Sequence, residues 1–276
     1  MGFTASHLAR HLRSAGWQVH GTRREGDGVN LAFDDRPRVL DAIEAATHIL
    51  SSVPPEPAGS DPVIERYGDA ISAASAQWVG YLSSTGVYGD SNGGWVDETA
   101  PILGRRVARN AADQSWQALD ERIRVFRLPG IYGPGRSAIE RVAEGKAHRI
   151  DLPGQVFSRV HVDDIVSGIV ASFSGPAGLY NLADDYPCDQ NAVIEAACDL
   201  LGMPCPPMQP IEQANLSPAA RAFYAENRRV ANGKAKRLLG WQPRFKTYRE
   251  GLAACMEINR PSIASAAPLA ANPDQT

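Results

Sequence analysis

VLDAIEAATHILSSV (residues 39–53) places a helical segment directly before a short apolar run, THILSSV. The apolar spacing of the first part is typical of an amphipathic helix, and the short apolar run is typical of a buried strand. Similar runs occur at WQVHGT (residues 17–22), WVGYLSS (residues 78–84), RVFRL (residues 124–128) and LYNLA (residues 179–183). Because helix-like stretches separate these runs, the pattern predicts an α/β fold: a parallel sheet with helices on both faces.

The composition is that of an ordinary globular protein. The formal net charge of -3 provides no strong positive field to attract nucleic acid or an anionic membrane, so neither partner is expected. The four cysteines, Cys188, Cys198, Cys205 and Cys255, form no CxxC motif, so we expect reduced thiols and no metal site. The N-terminus has no apolar signal region and no long apolar run follows, which predicts a cytoplasmic protein.

A glycine turn opens the chain. Gly2, Phe3, Thr4 and Ala5 lead straight into a helix, as the second half of a G-x-G-x-x-G/A turn does in a Rossmann-type fold. In such a turn the backbone approaches the pyrophosphate of a dinucleotide, whose charge lies at the helix N-terminus. The alternative is an ordinary N-terminal helix preceded by a glycine.

The next predicted strand ends in Thr22, Arg23 and Arg24, where a dinucleotide fold binds the adenosine ribose. An acidic residue there favours NAD, whereas an arginine accommodates the 2′-phosphate of NADP. We therefore predict NADP rather than NAD, the alternative being a solvated basic loop. We also assign Ser51 and Ser52, at the end of the THILSSV run, to the cofactor site.

The strand that should run into the glycine turn is absent before Met1, and so is the turn's first glycine. Loss of such a central strand removes several buried apolar side chains, each worth ~1.5–3 kcal/mol. Together they rival the ~5–15 kcal/mol stability of a domain. We therefore expect the natural protein to begin upstream, with about ten more residues.

The predicted elements divide the chain into two parts and a tail. We assign residues 1–135 to an NAD(P)-binding Rossmann domain, to which residues 161–186 return. Residues 136–160 and 187–260 are predicted to form a small C-terminal substrate subdomain. Residues 261–276 are rich in Ala, Pro and Ser with little to bury, which predicts a disordered tail.

Three ordered motifs carry a family resemblance. They are YLSSTGVYGDSNGGWVDETAP (residues 81–101), RLPGIYGPGRS (residues 127–137) and RVHVDDIVSGI (residues 159–169). In order and form they resemble the extended short-chain dehydrogenases/reductases (SDRs), along nearly the whole chain. More narrowly, the chain resembles an atypical bacterial subgroup of NAD-dependent epimerase/dehydratase-like proteins.

The resemblance implies roles for individual residues. Ser84 matches the catalytic Ser/Thr, whose hydroxyl hydrogen-bonds a substrate oxygen. The loop that relatives place against the nicotinamide corresponds to Leu128, Pro129, Gly130 and Ile131.

The sequence departs from the family in the helix that follows VYG. The family has Tyr-x-x-x-Lys there, and this chain has Arg109 and Asp113. No tyrosine in the chain has a lysine four residues later, so the usual proton-transfer pair is missing. Arg109 stays charged and cannot donate a proton. It either forms a surface ion pair with Asp113 or binds an anionic substrate.

Other residues are candidates for the missing acid and for substrate binding. Tyr88 and Glu98 lie in the loop that borders the substrate in relatives, and Glu98 is the better acid of the two. Arg136 and Arg159 are further candidates for binding a substrate anion.

The resemblance implies an NAD(P)-dependent oxidoreductase or epimerase/dehydratase-like enzyme with an atypical active site. Its substrate is expected to be small and polar, with sugar-linked compounds as one option. The alternative is a non-catalytic NADP-binding redox sensor or regulatory protein, which retains the binding motifs and lacks the catalytic pair. Extended relatives commonly dimerise, so a homodimer is one expected assembly.

Overall fold

The computed structural model describes residues 1–57 and 59–264. The strands are β1 (Thr22–Arg23), β2 (Leu31–Ala32), β3 (His48–Ser51), β4 (Trp78–Ser84), β5 (Trp95–Val96), β6 (Ile123–Leu128), β7 (Gly130–Tyr132), β8 (Arg149–Ile150), β9 (Arg159–His161), β10 (Gly178–Asn181), β11 (Met208–Gln209) and β12 (Arg229–Val230). The α-helices are α1 (Phe3–Ser14), α2 (Arg36–Glu44), α3 (Pro62–Ala73), α4 (Val107–Leu119), α5 (Ala138–Ala143), α6 (Val162–Ala171), α7 (Gln190–Leu201), α8 (Pro218–Phe223), α9 (Gly233–Leu239) and α10 (Tyr248–Ala264). A 3₁₀ helix, Thr85–Tyr88, follows β4.

The central sheet has four parallel strands in the order β10, β6, β4, β3. β1 and β2 form a separate parallel pair. Among the described residues, no strand pairs with the second edge of β3 or of β1. A cleft of about 1660 Å³ separates this pair from β3 and is lined by both.

Apolar side chains cover both faces of the central sheet. On one face, Trp78 and Phe126 pack with α1 and α6. On the other, Tyr81 and Val125 pack with α3 and α4, and the Tyr81 ring stacks on Trp116 with centroids 5.0 Å apart. Adjacent residues of β6 thus point to opposite faces, as the pleat of a strand requires. The predicted α/β fold, with a parallel sheet between two helical layers, is confirmed.

A third apolar cluster joins α5, α7 and α10, with Ile139, Ile194 and Leu252 among its buried side chains. α10 extends to Ala264, four residues into the predicted tail, and residues 265–276 lie outside the described part of the chain. None of the described helices is both long and apolar enough to cross a membrane.

The predicted strand WQVHGT is mostly not a strand. Only its last residue belongs to β1, because the hydrogen-bonding partner β2 is two residues long and ends the ladder there. Trp17 is 37% exposed and contacts the rings of His48 and Phe173 from the side of the cleft.

Asp61 connects α3 to α4. Its carboxylate accepts hydrogen bonds from the backbone N–H groups of Val63 and Ile64, which caps α3, and from the indole of Trp116. Asp61→Ala removes the cap and leaves a buried indole N–H unpaired. We expect the free energy of unfolding to fall by about 2–4 kcal/mol in urea titrations.

Asp69→Ala, on the exposed side of the same helix, is the control and should change stability little. Equal stabilities of the two variants would contradict the assigned role of Asp61.

Candidate active site

The cleft beside β3 brings together residues from three predicted cofactor segments. Its lining includes six of the predicted residues: Gly2, Ala5, Thr22, Arg23, Arg24 and Ser52. They come from the start of α1, from β1 and from the end of β3, so the carboxyl ends of these strands and a helix N-terminus share one space. This is the position at which open α/β sheets bind ligands.

The other predicted cofactor residues lie around this space. Thr4, Ser51 and Leu128 are buried, and Phe3 packs against the His7 ring. Pro129 and Ile131 are half-buried, and Gly130 is exposed beyond the end of β6. The structure therefore places the loop after β6 at the same edge of the sheet, outside the lining of the cleft.

The N-terminus of α1 can accept an anion. Gly2 is its N-cap residue, and no side chain caps the helix. A Cβ atom at Gly2 would meet no atom of the described residues within 4 Å, so the space beside the backbone is open to that part of the chain. Unpaired N–H groups and the helix dipole favour a negative group at this position.

Arg23 forms an ion pair with Asp27. Its Nε lies 3.1 Å from Asp27 Oδ2, and the Arg23 side chain is about half exposed. Hydrogen bonds from Asn30 lower the pKa of Asp27 to about 2, so this partner stays charged. Arg24 is exposed and lines the cleft with Arg23.

Ser84 ends β4 and is half-buried. Its Oγ accepts a hydrogen bond from Gly86 N at 3.1 Å, which starts the 3₁₀ helix. The hydroxyl hydrogen of Ser84 remains available to a bound molecule, since the oxygen is the acceptor in this contact.

Tyr88 and Glu98 converge on Asn181. The Tyr88 hydroxyl donates to Asn181 Oδ1 at 2.7 Å, and Glu98 Oε1 accepts from Asn181 N at 2.7 Å. Burial raises the pKa of Tyr88 to about 12, so its phenol keeps its proton at neutral pH. Burial also raises the pKa of Glu98. Both side chains are buried, with Tyr88 3% and Glu98 9% exposed.

The proposed surface ion pair between Arg109 and Asp113 is wrong. Asp113 is fully buried, and its carboxylate accepts from Arg127 Nη2 at 2.7 Å and Nε at 3.1 Å. It also accepts from Ser83 Oγ at 2.5 Å and Gln117 Nε2 at 2.6 Å. Asp113 lies on the side of α4 that packs against the sheet, and there it contacts the guanidinium of Arg127 from β6.

Arg109 is half-buried on α4 and lies near the hydroxyl of Tyr81. Burial raises the pKa of Tyr81 to about 12, and the Arg109 cation acts in the opposite direction.

Arg127 supplies a cation beside Asp113, but it cannot reach a bound molecule. It is 1% exposed, and its guanidinium lies 4.9 Å from the centroid of the Tyr88 ring. Nη1 makes no hydrogen bond to any residue in the described ranges. The ion pair therefore lies beneath the end of β4, where Asp113 also accepts a hydrogen bond from Ser83.

Arg159 and Arg136 are placed differently from what the sequence suggested. Arg159 is 7% exposed and donates to the carbonyl oxygens of Phe157, Cys188 and Asp189, so it is a structural side chain of the subdomain. Arg136 is exposed, with its guanidinium 5.5 Å from the Phe3 ring centroid. In the described part of the chain, no group of three or more His, Cys, Asp or Glu side chains could hold a metal ion.

Sequence reasoning missed Arg228. Its Nη1 donates to Gly89 O and to Glu226 Oε2, both at 2.7 Å, and Glu226 Oε1 also accepts from Arg105 Nε at 2.8 Å. These contacts place Arg228 beside the turn that follows Ser84. Residues 221–241 contribute to the family resemblance, but the resemblance gave Arg228 no role; the available signal was its pair of adjacent arginines, Arg228 and Arg229.

The buried ion pair gives a stability prediction. Asp113→Asn leaves the Arg127 charge buried without a counter-charge, which should lower the free energy of unfolding by about 3–5 kcal/mol. The double variant Asp113→Leu/Arg127→Met removes both charges and should recover most of this loss. Gln114→Ala, on the exposed side of α4, is the control for the helix. A double variant as unstable as Asp113→Asn would show that the unpaired charge is not the cause.

Comparison with solved structures shows which proteins share this architecture. No family model matches the chain. A functionally unknown conserved protein from Silicibacter pomeroyi is 40% identical, with a TM-score of 0.82, covering 93% of this chain and 96% of that one. MoeE5 in complex with UDP-glucuronic acid and NAD is 22% identical, with a TM-score of 0.75 and coverage of 95% and 97%. The UDP-glucose 4-epimerase of Thermotoga maritima with UDP-glucose is 18% identical, with the same TM-score and coverage.

Two curated relatives are more distant in sequence. Protein YeeZ of Escherichia coli K12 is 26% identical over 243 residues, covering 75% of this chain and 83% of YeeZ. The 3-diazoavenalumate denitrifying reductase of Streptomyces is 27% identical over 294 residues, covering 89% and 94%. The structural neighbours include NAD-dependent enzymes of the epimerase and dehydratase type, and they share the parallel sheet described above. The chain therefore belongs to the same family as the Silicibacter pomeroyi protein and has the Rossmann-type fold of extended SDR epimerases.

Proposed function

We propose that the protein is an NAD(P)-dependent oxidoreductase or epimerase/dehydratase-like enzyme that acts on a small polar substrate and binds NADP in preference to NAD. One observation carries this proposal: the cleft at the carboxyl ends of the strands joins the open N-terminus of α1 to Arg23 and Arg24. A pyrophosphate and a 2′-phosphate need these two kinds of partner.

The described residues fit a dinucleotide along the cleft. The uncapped start of α1 would hold the pyrophosphate, and Thr22, Arg23 and Arg24 would hold the ribose and its 2′-phosphate. Ser51 ends β3 and Ser52 follows it, at the same edge of the sheet as Ser84. Leu128, Pro129, Gly130 and Ile131, at the end of β6 and the start of β7, would border the nicotinamide. When bound, the nicotinamide supplies a hydride acceptor or donor.

The substrate side of the proposal rests on Ser84. Its hydroxyl would donate to a substrate oxygen at the end of β4. Arg109 cannot transfer a proton, so an acid must come from elsewhere. Glu98 is the better candidate, because burial raises the pKa of its carboxyl and lets it hold a proton at higher pH. Sugar-linked compounds are one substrate option, as the solved structures of MoeE5 and of the epimerase contain UDP-sugars.

The second candidate function is a redox sensor that binds NADP and does not turn over. It is favoured by Asp113, which takes the lysine position of the family and is fully buried against Arg127. Consumption of NADPH with a panel of carbonyl compounds and sugar nucleotides would support the enzyme, and binding without turnover would support the sensor. We also propose a homodimer, which rests on the family resemblance, and a cytoplasmic location, which is the prediction made from the sequence.

Arg23 and Arg24 should set the nucleotide preference. The double variant Arg23→Ser/Arg24→Ser should bind NADPH about tenfold or more weakly, because it loses charge-assisted contacts to the 2′-phosphate. NADH binding should change little. Fluorescence titration of both nucleotides measures this. Arg10→Ser, an exposed arginine of α1, is the control; an equal loss of NADPH affinity there would indicate a general charge effect.

Ser84 and Glu98 should be required for turnover, with nucleotide binding unchanged. Ser84→Ala removes the hydroxyl that holds the substrate, and Glu98→Gln keeps the acceptor for Asn181 N while it removes the acidic proton. Each should lower the NADPH consumption rate by about 100-fold or more. Asp97→Asn, the exposed neighbour, should retain the rate. Full activity in both Ser84→Ala and Glu98→Gln would remove them from the mechanism.

A further inference from the structure

The segment around Arg228 is held firmly over the turn that follows β4. β12 pairs in parallel with β5, and the carbonyl oxygen of Asn227 accepts from Ser91 N at 3.1 Å and Gly93 N at 2.9 Å. The Asn227 side chain accepts from Val156 N at 3.1 Å. Asn227 is thus fixed near the VYG turn by its backbone on one side and by its side chain on the other.

The Arg228 guanidinium faces the Ser84 hydroxyl across Gly86. A Cβ atom built on Gly86 would lie 3.3 Å from Ser84 Oγ and 3.9 Å from Arg228 Nη2, and apart from the chain neighbours of Gly86 no other atom of the described residues would lie within 4 Å. The space above Gly86, which we call the floor, therefore lies open between the Ser84 hydroxyl and the Arg228 guanidinium. A ligand atom above this floor can approach both groups at hydrogen-bonding distance.

The charge around this floor favours an anion. Glu226 is shared between Arg105 and Arg228, so the three side chains carry two positive charges and one negative charge. Nη1 of Arg228 is occupied by Gly89 O and Glu226, whereas Nη2 makes no hydrogen bond within the described residues. A guanidinium nitrogen with unused N–H groups is a donor suited to carboxylate and phosphate oxygens.

We propose that Arg228 binds an oxyanion of the substrate, a carboxylate or a phosphate, next to the substrate oxygen held by Ser84. This inference rests on the proposed function, because it names the substrate class of the same site. The site would then select small polar molecules with a negative group close to the reacting carbon over neutral molecules of the same shape.

Probes of similar shape but different charge separate the effect of ligand charge on binding from the effect of ligand shape. Glucuronate and glucose differ by a carboxylate, and glucose 6-phosphate and glucose differ by a phosphate. Calorimetric titration of the wild-type protein should show binding of at least one anionic probe about tenfold or more tighter than glucose. The comparison between glucuronate and glucose 6-phosphate identifies the preferred oxyanion.

Two kinds of variant test the assignment to Arg228. Arg228→Gln should abolish the preference for the anionic probe, and Arg228→Lys should restore part of it. Gly86→Ala keeps Arg228 but places a methyl group in the space between Ser84 and Arg228. It should therefore weaken binding of the anionic probe, while the thermal unfolding temperature stays close to that of the wild type. Arg229→Gln is the control, because the Arg229 guanidinium is directed to the carbonyl of Gly93.

Equal binding of charged and neutral probes, no binding of any probe, or a preference retained in Arg228→Gln would overturn the inference. NADPH titration of the same samples separates this result from the proposed function. If wild-type protein binds NADPH without any anion preference, only the inference about Arg228 fails. If the anion preference is present and depends on Arg228 while no nucleotide binds, the proposed function fails and the oxyanion site remains.

Discussion

A carboxylate and a guanidinium lie buried together beneath the site. Asp113 and Arg127 join α4 to β6, and the Ser83 hydroxyl joins the pair to the end of β4. Charges in a protein interior are tolerated only when they are paired and hydrogen-bonded, so the relative positions of these three elements are tightly constrained. Ser84 follows Ser83 directly, so its position depends on this pair.

The Asp113–Arg127 pair is also connected to residues on the predicted substrate side. Arg127 lies against the Tyr88 ring, and the Tyr88 hydroxyl contacts Asn181, whose backbone N–H is held by Glu98. The side chains beneath Ser84 are therefore connected to one another by polar contacts. The cofactor cleft is built separately, from the start of α1, β1 and the end of β3. The two parts meet at the carboxyl edge of the sheet, where a hydride and a substrate oxygen would have to meet.

Features set by local sequence could be predicted, whereas features that depend on contacts between distant segments could not. β4 and β6 were predictable because their apolar runs are buried on both faces, which is a local property. β3 was predictable from its short apolar run, although three of its four residues are only half-buried beside the cleft. The strand at WQVHGT was overpredicted because pairing needs a partner, and β2 is short. Asp113 was misplaced because the spacing from Arg109 suggested a local pair, whereas its actual partner, Arg127, comes from another element. Arg228 was missed because its place beside Gly86 depends on contacts between distant segments.

Hydrogen–deuterium exchange with and without NADPH tests the central claim, that the cleft beside β3 holds a dinucleotide. The start of α1 with Gly2, the arginines at the end of β1 and the backbone around Ser52 should exchange more slowly when NADPH is present. α7 and α10, which pack away from the cleft, should exchange at unchanged rates. Unchanged exchange at all three cleft segments, or protection confined to α7 and α10, would contradict this account.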